Sequence, residues 1–189
     1  MRVADFDKLF EQFKTAAEAV SAQVYRVKDL NEAGSLLSTL VEEDGAKKLA
    51  AASSPMVDKC LNTANLNIEV KTDDLRKNAE DADFGLSELD MAVAEIGSLQ
   101  QDCTDLNKRL VSMLPHTHVA IVRTDSLVAN LLEAMAKIDE IKDNIPGYMA
   151  FITGPSRTAD IERVLTIGVH GPVKLKVIFV DNPGGDSNE

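Results

Sequence analysis

The chain alternates between two patterns of apolar residues. Within residues 5–20 the apolar positions recur every three or four residues, which predicts an amphipathic helix with one buried stripe. Short apolar runs at residues 24–27 and 48–52 predict strands, and residues 29–43 between them predict another helix. Such alternation, without a series of hairpin turns, favours a mostly parallel sheet that is covered by helices on both faces.

The same two patterns continue through the middle of the chain. They predict, in order, a helix at 56–61, a strand at 68–70, a capped segment to residue 79, strands at 84–86 and 98–100, a helix at 106–113 and a strand at 119–122. The strongest helical pattern is capped by Asp125 or Ser126. Its apolar stripe is predicted to be core and consists of Leu127, Leu131, Leu132, Met135, Ile138 and Ile141.

A strand, a turn and a short helix are predicted before the last strand of the chain. The apolar run 148–152 predicts a buried strand, and the pair at 154–155, Gly-Pro, ends it with a turn. The hydroxyl groups of Ser156 and Thr158 are suited to cap the first N–H groups of the following helix, and Gly168 closes that helix. A final strand is predicted at 173–180.

Arg157 stands at the start of this predicted helix, beside two hydroxyl groups and several free backbone N–H groups. This composition is suited to hold a carboxylate or a phosphate. The alternative is a capped turn without a ligand, in which Arg157 forms a salt bridge with Asp160 or Glu162. The residues predicted to bind the anion are Gly154, Ser156, Arg157, Thr158, Gly168 and Gly171.

Two stretches of the sequence resemble a known family signature. Residues 153–162 read Thr-Gly-Pro-Ser-Arg-Thr-Ala-Asp-Ile-Glu, and residues 168–172 read Gly-Val-His-Gly-Pro. Together with the strand at 173–180, they closely resemble the signature of the LUD family, of the bacterial lactate-utilization protein C type. A weaker match lies at 94–98, which reads Ala-Glu-Ile-Gly-Ser where the family usually has Ala-Glu-Thr-Gly-Thr. The resemblance covers about residues 80 to 181 with specific motifs.

The resemblance implies a fold and a function. It implies a three-layer α/β/α domain with a mostly parallel sheet, similar to the isomerase, deaminase and CoA-transferase superfamily, and this agrees with the pattern of elements. We expect one such domain at residues 1–181 and an acidic flexible tail at 182–189. The function that the resemblance implies is a subunit of bacterial L-lactate oxidation, which works with iron–sulfur and cysteine-rich partner proteins. The sequence has no G-x-G-x-x-G fingerprint, no P-loop and no set of cluster ligands, so we expect no cofactor of its own.

A second function class remains open, a stand-alone CoA-transferase-like or isomerase-like enzyme that acts on a small carboxylate or phosphate. CoA transferases of that superfamily use a glutamate followed closely by glycine as a nucleophile, and Glu95 with Gly97 is similar in kind. We therefore expect Glu95 near the carboxyl end of a strand, partly buried beside the largest cleft. His170 is predicted to be a neutral hydrogen-bond donor or a general acid, or else only to fix the turn before Pro172.

Whether Arg157 and His170 belong to one site depends on how the chain returns to its last strand. An ordinary right-handed parallel crossover from the strand at 148–152 to the strand at 173–180 puts the two residues at opposite ends of the sheet. If the helix is short and residues 166–171 are extended, the chain brings His170 back to Arg157. Only the second arrangement allows both residues to contact one ligand.

Composition and charge narrow the function classes. The 189 residues contain 44% hydrophobic residues and six prolines, which indicates a globular domain. Acidic residues outnumber basic ones 31 to 20, and a net charge of −11 disfavours nucleic acid and anionic membranes. No stretch predicts a membrane span or a secretory signal, so we expect a cytoplasmic protein. Cys60 and Cys103 are expected to be free thiols, and no metal site is predicted, since His116 and His118 lack further ligands.

Overall fold

The computed structural model describes residues 3–158, 166–168 and 170–184. The helices are α1 (Val3–Ala19), α2 (Leu30–Glu43), α3 (Pro55–Thr63), α4 (Leu75–Asn78), α5 (Leu106–Met113) and α6 (Leu131–Glu140). The strands are β1 (Ala22–Asp29), β2 (Lys48–Ala51), β3 (Glu69–Lys71), β4 (Phe84–Leu89), β5 (Met91–Val93), β6 (Ser98–Asp102), β7 (Thr117–Arg123), β8 (Leu127–Val128), β9 (Met149–Ile152), β10 (Arg157–Thr158), β11 (Thr166–Ile167) and β12 (Lys174–Asn182).

A six-stranded sheet forms the centre of the protein, in the order β1-β12-β7-β4-β2-β3. All of its strands run parallel. A second sheet has the order β8-β5-β6-β9, and β10 pairs with β11 in a small antiparallel ladder. The three-layer α/β architecture with a mostly parallel sheet, predicted from the sequence, is confirmed.

Both faces of the central sheet are covered, and β7 shows how the residues are divided between them. Val119 and Ile121 belong to the core cluster that the sheet forms with α2 and α3. Ala120 and Val122 belong to the opposite cluster, which includes α1 and residues of the four-stranded sheet. Side chains alternate between the faces of a strand, so His118, two residues before Ala120, faces this second layer.

The predicted start of the strongest helix is wrong. Residues 127–128 form β8, which pairs with β5, and α6 begins only at Leu131 after its cap Asn130. The predicted core stripe is also largely wrong, because the described side chains of Leu131, Leu132, Met135 and Ile141 are 41–81% exposed. The helix packs on the edge of the four-stranded sheet through Ala134 and Ile138, and this narrow line of contact leaves the rest of the stripe uncovered.

The segment after β9 also differs from the prediction. Residues 157–158 form strand β10 and are not the first turn of a helix, because they pair with residues 166–167. The body predicted for that helix, residues 159–165, lies outside the described residues. At the end of the chain, β12 continues to Asn182, one residue into the predicted tail, and residues 185–189 lie outside the described part. None of the helices in the described ranges is long and apolar enough to cross a membrane.

A partly buried ion pair joins the end of α2 to β12. The Asp44 carboxylate lies 2.9 Å from Lys176 Nζ and 3.0 Å from Lys174 Nζ, and the Lys176 side chain is only 3% exposed. Burial alone raises the pKa of Asp44, but the hydrogen bonds and charges of the two lysines outweigh it and lower that pKa below its ordinary value of 3.8. The stabilisation by Asp44 is therefore present above pH 3.8 and is lost as the pH falls below it.

We expect Asp44→Ala to lower the free energy of unfolding by about 2 kcal/mol at pH 7, because it leaves the buried Lys176 ammonium without its carboxylate. The matched control is Asp125→Ala, since Asp125 pairs with Arg123 and both side chains are about half exposed. An exposed pair contributes less than about 1 kcal/mol. Urea unfolding of both variants measures the difference, and equal losses would contradict the prediction.

Candidate functional site

One cavity of about 390 Å³ lies between the second layer and the amino ends of β7 and β12. His118 and Leu175, which border it, are the second residues of these strands. Its other walls are the end of α5, strand β9 and the loops on either side of the β10-β11 pair. The residues that border it are Cys103, Arg109, Ser112, Met113, His118, Tyr148, Ala150, Phe151, Ile152, Thr153, Gly154, Pro155, Ser156, Arg157, His170, Gly171, Pro172 and Leu175.

The two loops that resemble the family signature meet at this cavity. We call residues 153–158 the Arg157 loop and residues 168–172 the His170 loop. The Ser156 N–H donates to the Pro172 carbonyl over 2.8 Å. Gly171 packs on the same serine, and a Cβ at Gly171 would lie 2.9 Å from the Ser156 Cβ. Because these contacts hold the loops side by side, Arg157 and His170 border one cavity.

The ordinary crossover considered from the sequence is therefore wrong. Strands β9 and β12 belong to different sheets, so no parallel crossover within one sheet connects them. The chain instead turns back through the antiparallel β10-β11 pair, and this reversal returns the His170 loop to the Arg157 loop. The structure thus has the arrangement in which the two loops are neighbours.

Arg157 is exposed and contacts the end of α1. Its Nη2 donates to the Val20 carbonyl and, over 3.0 Å, to the Ser21 hydroxyl. A cation at a helix C-terminus interacts favourably with the helix dipole. Gly154 lies against the same carbonyl with φ +68°, and a Cβ there would come within 2.5 Å of the Val20 oxygen. The Arg157 loop is therefore fixed on the end of α1.

The other residues predicted to bind an anion divide into those that border the cavity and those that do not. Gly154, Ser156 and Gly171 border the cavity together with Arg157. Thr158 and Gly168 are not among the residues that border it, although the Gly168 N–H donates to the Ser156 carbonyl over 2.9 Å. Thr158 and Gly168 therefore belong to the two loops but do not border the cavity.

Glu95 lies outside the cavity. It is exposed in the short helical turn Ala94–Ile96, where its carboxylate accepts a hydrogen bond from the Leu131 N–H at 3.4 Å. The expectation of a partly buried Glu95 beside the largest cleft is wrong, because this turn lies under the start of α6. The same weak motif does reach the Arg157 loop through Ser98, whose hydroxyl lies 2.5 Å from that of Thr153.

A chain of buried, hydrogen-bonded side chains lies behind the cavity, and no pattern in the sequence predicted it. His118 Nε2 lies 2.9 Å from the Ser87 hydroxyl, which also accepts from Gln101 Nε2 over 3.0 Å. The Cys103 thiol donates to Gln101 Oε1 over 3.2 Å. All four side chains are at most 2% exposed. The chain connects the two sheets, and both of its ends, His118 and Cys103, border the cavity.

Burial keeps both ends of this chain uncharged near pH 7. It lowers the pKa of His118 from 6.5 to about 4. It also raises the pKa of the Cys103 thiol, an effect that neighbouring carboxylates increase and that Arg109 and Lys108 partly offset. A buried imidazole that is neutral and a thiol that keeps its proton make a chain of neutral hydrogen bonds.

Arg109 was also missed. It projects from α5 and places its guanidinium 5.1 Å from the centre of the Tyr148 ring, a cation–π contact. Its Nε is buried and has no hydrogen-bond partner among the described residues, and the same is true of His118 Nδ1. Neither residue stands out in the sequence, because His118 is the second residue of a strand and Arg109 is one of several polar residues in a short helix.

Cysteine and histidine side chains form no metal centre within the described residues. No group of three or more His, Cys, Asp or Glu side chains there is arranged to hold a metal ion. Cys60 lies in the core below α2 and α3, and burial raises its pKa to about 12. A thiol in that state is a weak nucleophile and a poor metal ligand.

Comparison with known proteins identifies relatives over most of the chain. The sequence profile of the LUD domain matches residues 10–180. Lactate utilization protein C of Geobacillus sp. (strain WCH70) is 32% identical over 190 residues, which are 92% of this chain and 78% of that protein. Lactate utilization protein C 1 of Bacillus mycoides (strain KBAB4) is 38% identical over 109 residues, 56% of this chain and 47% of that protein.

Other relatives match over a similar length. Lactate utilization protein C of Bacillus subtilis (strain 168) is 39% identical over 112 residues, 56% of this chain and 45% of that protein. The matched part thus spans about half the length of several such relatives. A crystal structure of a DUF162 family protein from Deinococcus radiodurans has the same fold, with a TM-score of 0.64 at 20% identity over 95% of this chain and 99% of that chain.

Proposed function

This chain belongs to the LUD domain family, and we propose from that membership that it acts in lactate utilization as a subunit that binds a small anion. The names of its relatives support the first part of the proposal, since lactate utilization protein C occurs among them at 32–39% identity. The second part rests on the cavity between the Arg157 loop and the His170 loop.

The observation that carries the anion site is that two loops separated along the chain border one cavity. Its volume of about 390 Å³ lies within the range of small-molecule sites. Two arginines, Arg109 and Arg157, border it in a protein whose net charge is −11. A local positive charge in such an acidic protein favours a small carboxylate or phosphate over a cation.

The proposed partners are iron–sulfur and cysteine-rich proteins of a lactate-oxidising complex in the cytoplasm. Lactate oxidation requires an electron acceptor, and the sequence has only two cysteines, Cys60 and Cys103, where an iron–sulfur cluster is usually held by four cysteine thiolates. Both are buried in separate places. The oxidation step therefore belongs, in this proposal, to another protein.

A stand-alone CoA-transferase-like or isomerase-like enzyme is the other function class, and no contact among the described residues favours the CoA-transferase-like form. Its nucleophile would be Glu95, and that carboxylate is exposed and bonded to the N-terminus of α6, away from the cavity. A nucleophile needs to reach the bound substrate.

Binding of small anions to the purified chain tests the proposal. We expect L-lactate or inorganic phosphate, at about 100 times its Kd, to raise the Tm by about 5–10 °C, because a ligand of the folded state stabilises it by mass action. Thermal unfolding with and without each anion measures the shift.

Two variants control this experiment. Ala150→Phe fills the cavity from β9 and should abolish the shift, whereas Glu95→Gln should keep it, because Glu95 lies outside. Absence of a shift with any anion, or an equal shift in Ala150→Phe, contradicts the proposal. Loss of the Tm shift in Glu95→Gln would instead support the CoA-transferase-like enzyme.

A further inference from the structure

Two side chains that border the cavity each carry a buried nitrogen atom without a hydrogen-bond partner among the described residues, and these atoms are the starting point. Arg109 Nε and His118 Nδ1 are both buried, and neither has a hydrogen-bond partner among the described residues. Both side chains border the cavity. Buried polar atoms are nearly always hydrogen-bonded in folded proteins, so each such atom requires an explanation. A ligand that both atoms contact explains the two together.

The polar chain behind His118 determines which of its nitrogens carries the proton. The Cys103 thiol donates to Gln101 Oε1, which directs Gln101 Nε2 toward Ser87 as a donor. The Ser87 hydroxyl accepts from Gln101, and the acceptor within reach of its own proton is His118 Nε2. Nε2 is therefore unprotonated, and a neutral imidazole then has its proton on Nδ1. Nδ1 is thus a buried donor.

Arg109 provides a positive charge that no carboxylate neutralises among the described residues. An arginine Nε is always a donor, because the guanidinium keeps its proton at any ordinary pH. The face of the Tyr148 ring lies 5.1 Å from the guanidinium and holds it in place by a cation–π contact. This contact provides no hydrogen-bond acceptor for the Arg109 N–H groups. Arg157 differs, since Val20 and Ser21 accept from its guanidinium.

We propose that Arg109 and His118 bind the carboxylate of a short-chain monocarboxylic acid in this cavity. The inference rests on the proposed function, of which it names the ligand class and the two donors. One cationic and one neutral donor complement a group with a single negative charge and two acceptor oxygens. A phosphate dianion would need more charge than one free arginine supplies. Apolar side chains, including Met113, Phe151 and Leu175, are suited to contact a short carbon chain.

Calorimetric titration of the full chain with L-lactate, acetate and inorganic phosphate tests this inference. We expect Arg109→Gln to weaken binding of L-lactate and acetate by about 10- to 100-fold, the usual effect of losing a charged hydrogen bond. Arg157→Gln should weaken it less. Arg123→Gln, at an exposed arginine paired with Asp125 and outside the cavity, should leave it unchanged.

The outcomes separate this inference from the proposed function. If the wild-type chain binds none of the three anions, both fail. If it binds one and Arg157→Gln loses as much affinity as Arg109→Gln or more, the proposed anion site stands and the assignment to Arg109 is overturned. Tighter binding of phosphate than of both carboxylates overturns the ligand class.

NMR of the imidazole nitrogens tests His118 in the wild-type chain, without a variant that could fail to fold. We expect the His118 proton on Nδ1, and we expect its resonance to move when L-lactate or acetate is added. A proton on Nε2, or a resonance that stays in place at saturating acetate, overturns the role of His118. Ser87→Ala adds a second readout, because loss of the Ser87 hydroxyl should shift the protonation equilibrium between the two nitrogens.

Discussion

The free energy of unfolding is expected to fall by about 3 kcal/mol as the pH is lowered from about 6.5 to about 4, because of His118 alone. Its side chain is 1% exposed, and burial lowers its pKa from 6.5 to about 4. Within this pH range the His118 imidazole takes up a proton in the unfolded chain and stays neutral in the folded chain, so the free energy of unfolding falls as the pH falls. The difference between the two pKa values corresponds to about 3 kcal/mol, at about 1.4 kcal/mol for each pH unit.

Urea unfolding of the wild-type chain and of His118→Gln at a series of pH values measures this effect. Glutamine carries no charge at any of these pH values, so carboxylates that titrate in both proteins cancel in the comparison. The difference in stability between the two proteins should change by about 3 kcal/mol across the range. Curves that stay parallel would contradict the prediction. An NMR titration of the three histidines provides the His118 pKa directly.

Phe179→Ala is expected to lower the free energy of unfolding by about 4 kcal/mol. Phe179 lies on β12 at 0% exposure and packs edge-on against two rings of α1. Its ring centre is 5.5 Å from that of Phe10 and 4.9 Å from that of Phe13. The substitution removes these aromatic contacts and leaves a cavity where α1 packs on the central sheet.

The matched control is Phe151→Ala, because Phe151 is 40% exposed on strand β9 at the edge of the smaller sheet. We expect a loss of only about 1 kcal/mol there, in proportion to the smaller area that the side chain buries. Chemical unfolding of both variants at one pH measures the pair. Similar losses at the two positions would show that α1 is not anchored through Phe179.

Local sequence patterns were sufficient to predict the structure where the same residues determine both the secondary-structure element and its burial. The apolar run at 119–122 predicted a strand, which forms part of β7, and both faces of that strand are buried as its apolar residues require. The stripe of α6 shows the opposite case. The spacing of its apolar residues correctly indicated a helix. Whether other residues cover Leu132 and Met135 depends on where the helix packs, and the spacing contains no information about that position.

The sequence by itself determined the three-layer class, because hydrophobic period and turn residues act over short distances along the chain, and its resemblance to the LUD signature identified the two loops of the candidate site. Only the tertiary structure decided that Arg157 contacts the end of α1, that Glu95 lies outside the cavity and that Arg109 and His118 border it. The physical reason is that these contacts join distant segments. Parallel pairing of β4 with β7 places Gly85 opposite His118, so Ser87, two residues further along the same face, reaches the imidazole, and packing of the second sheet adds Gln101.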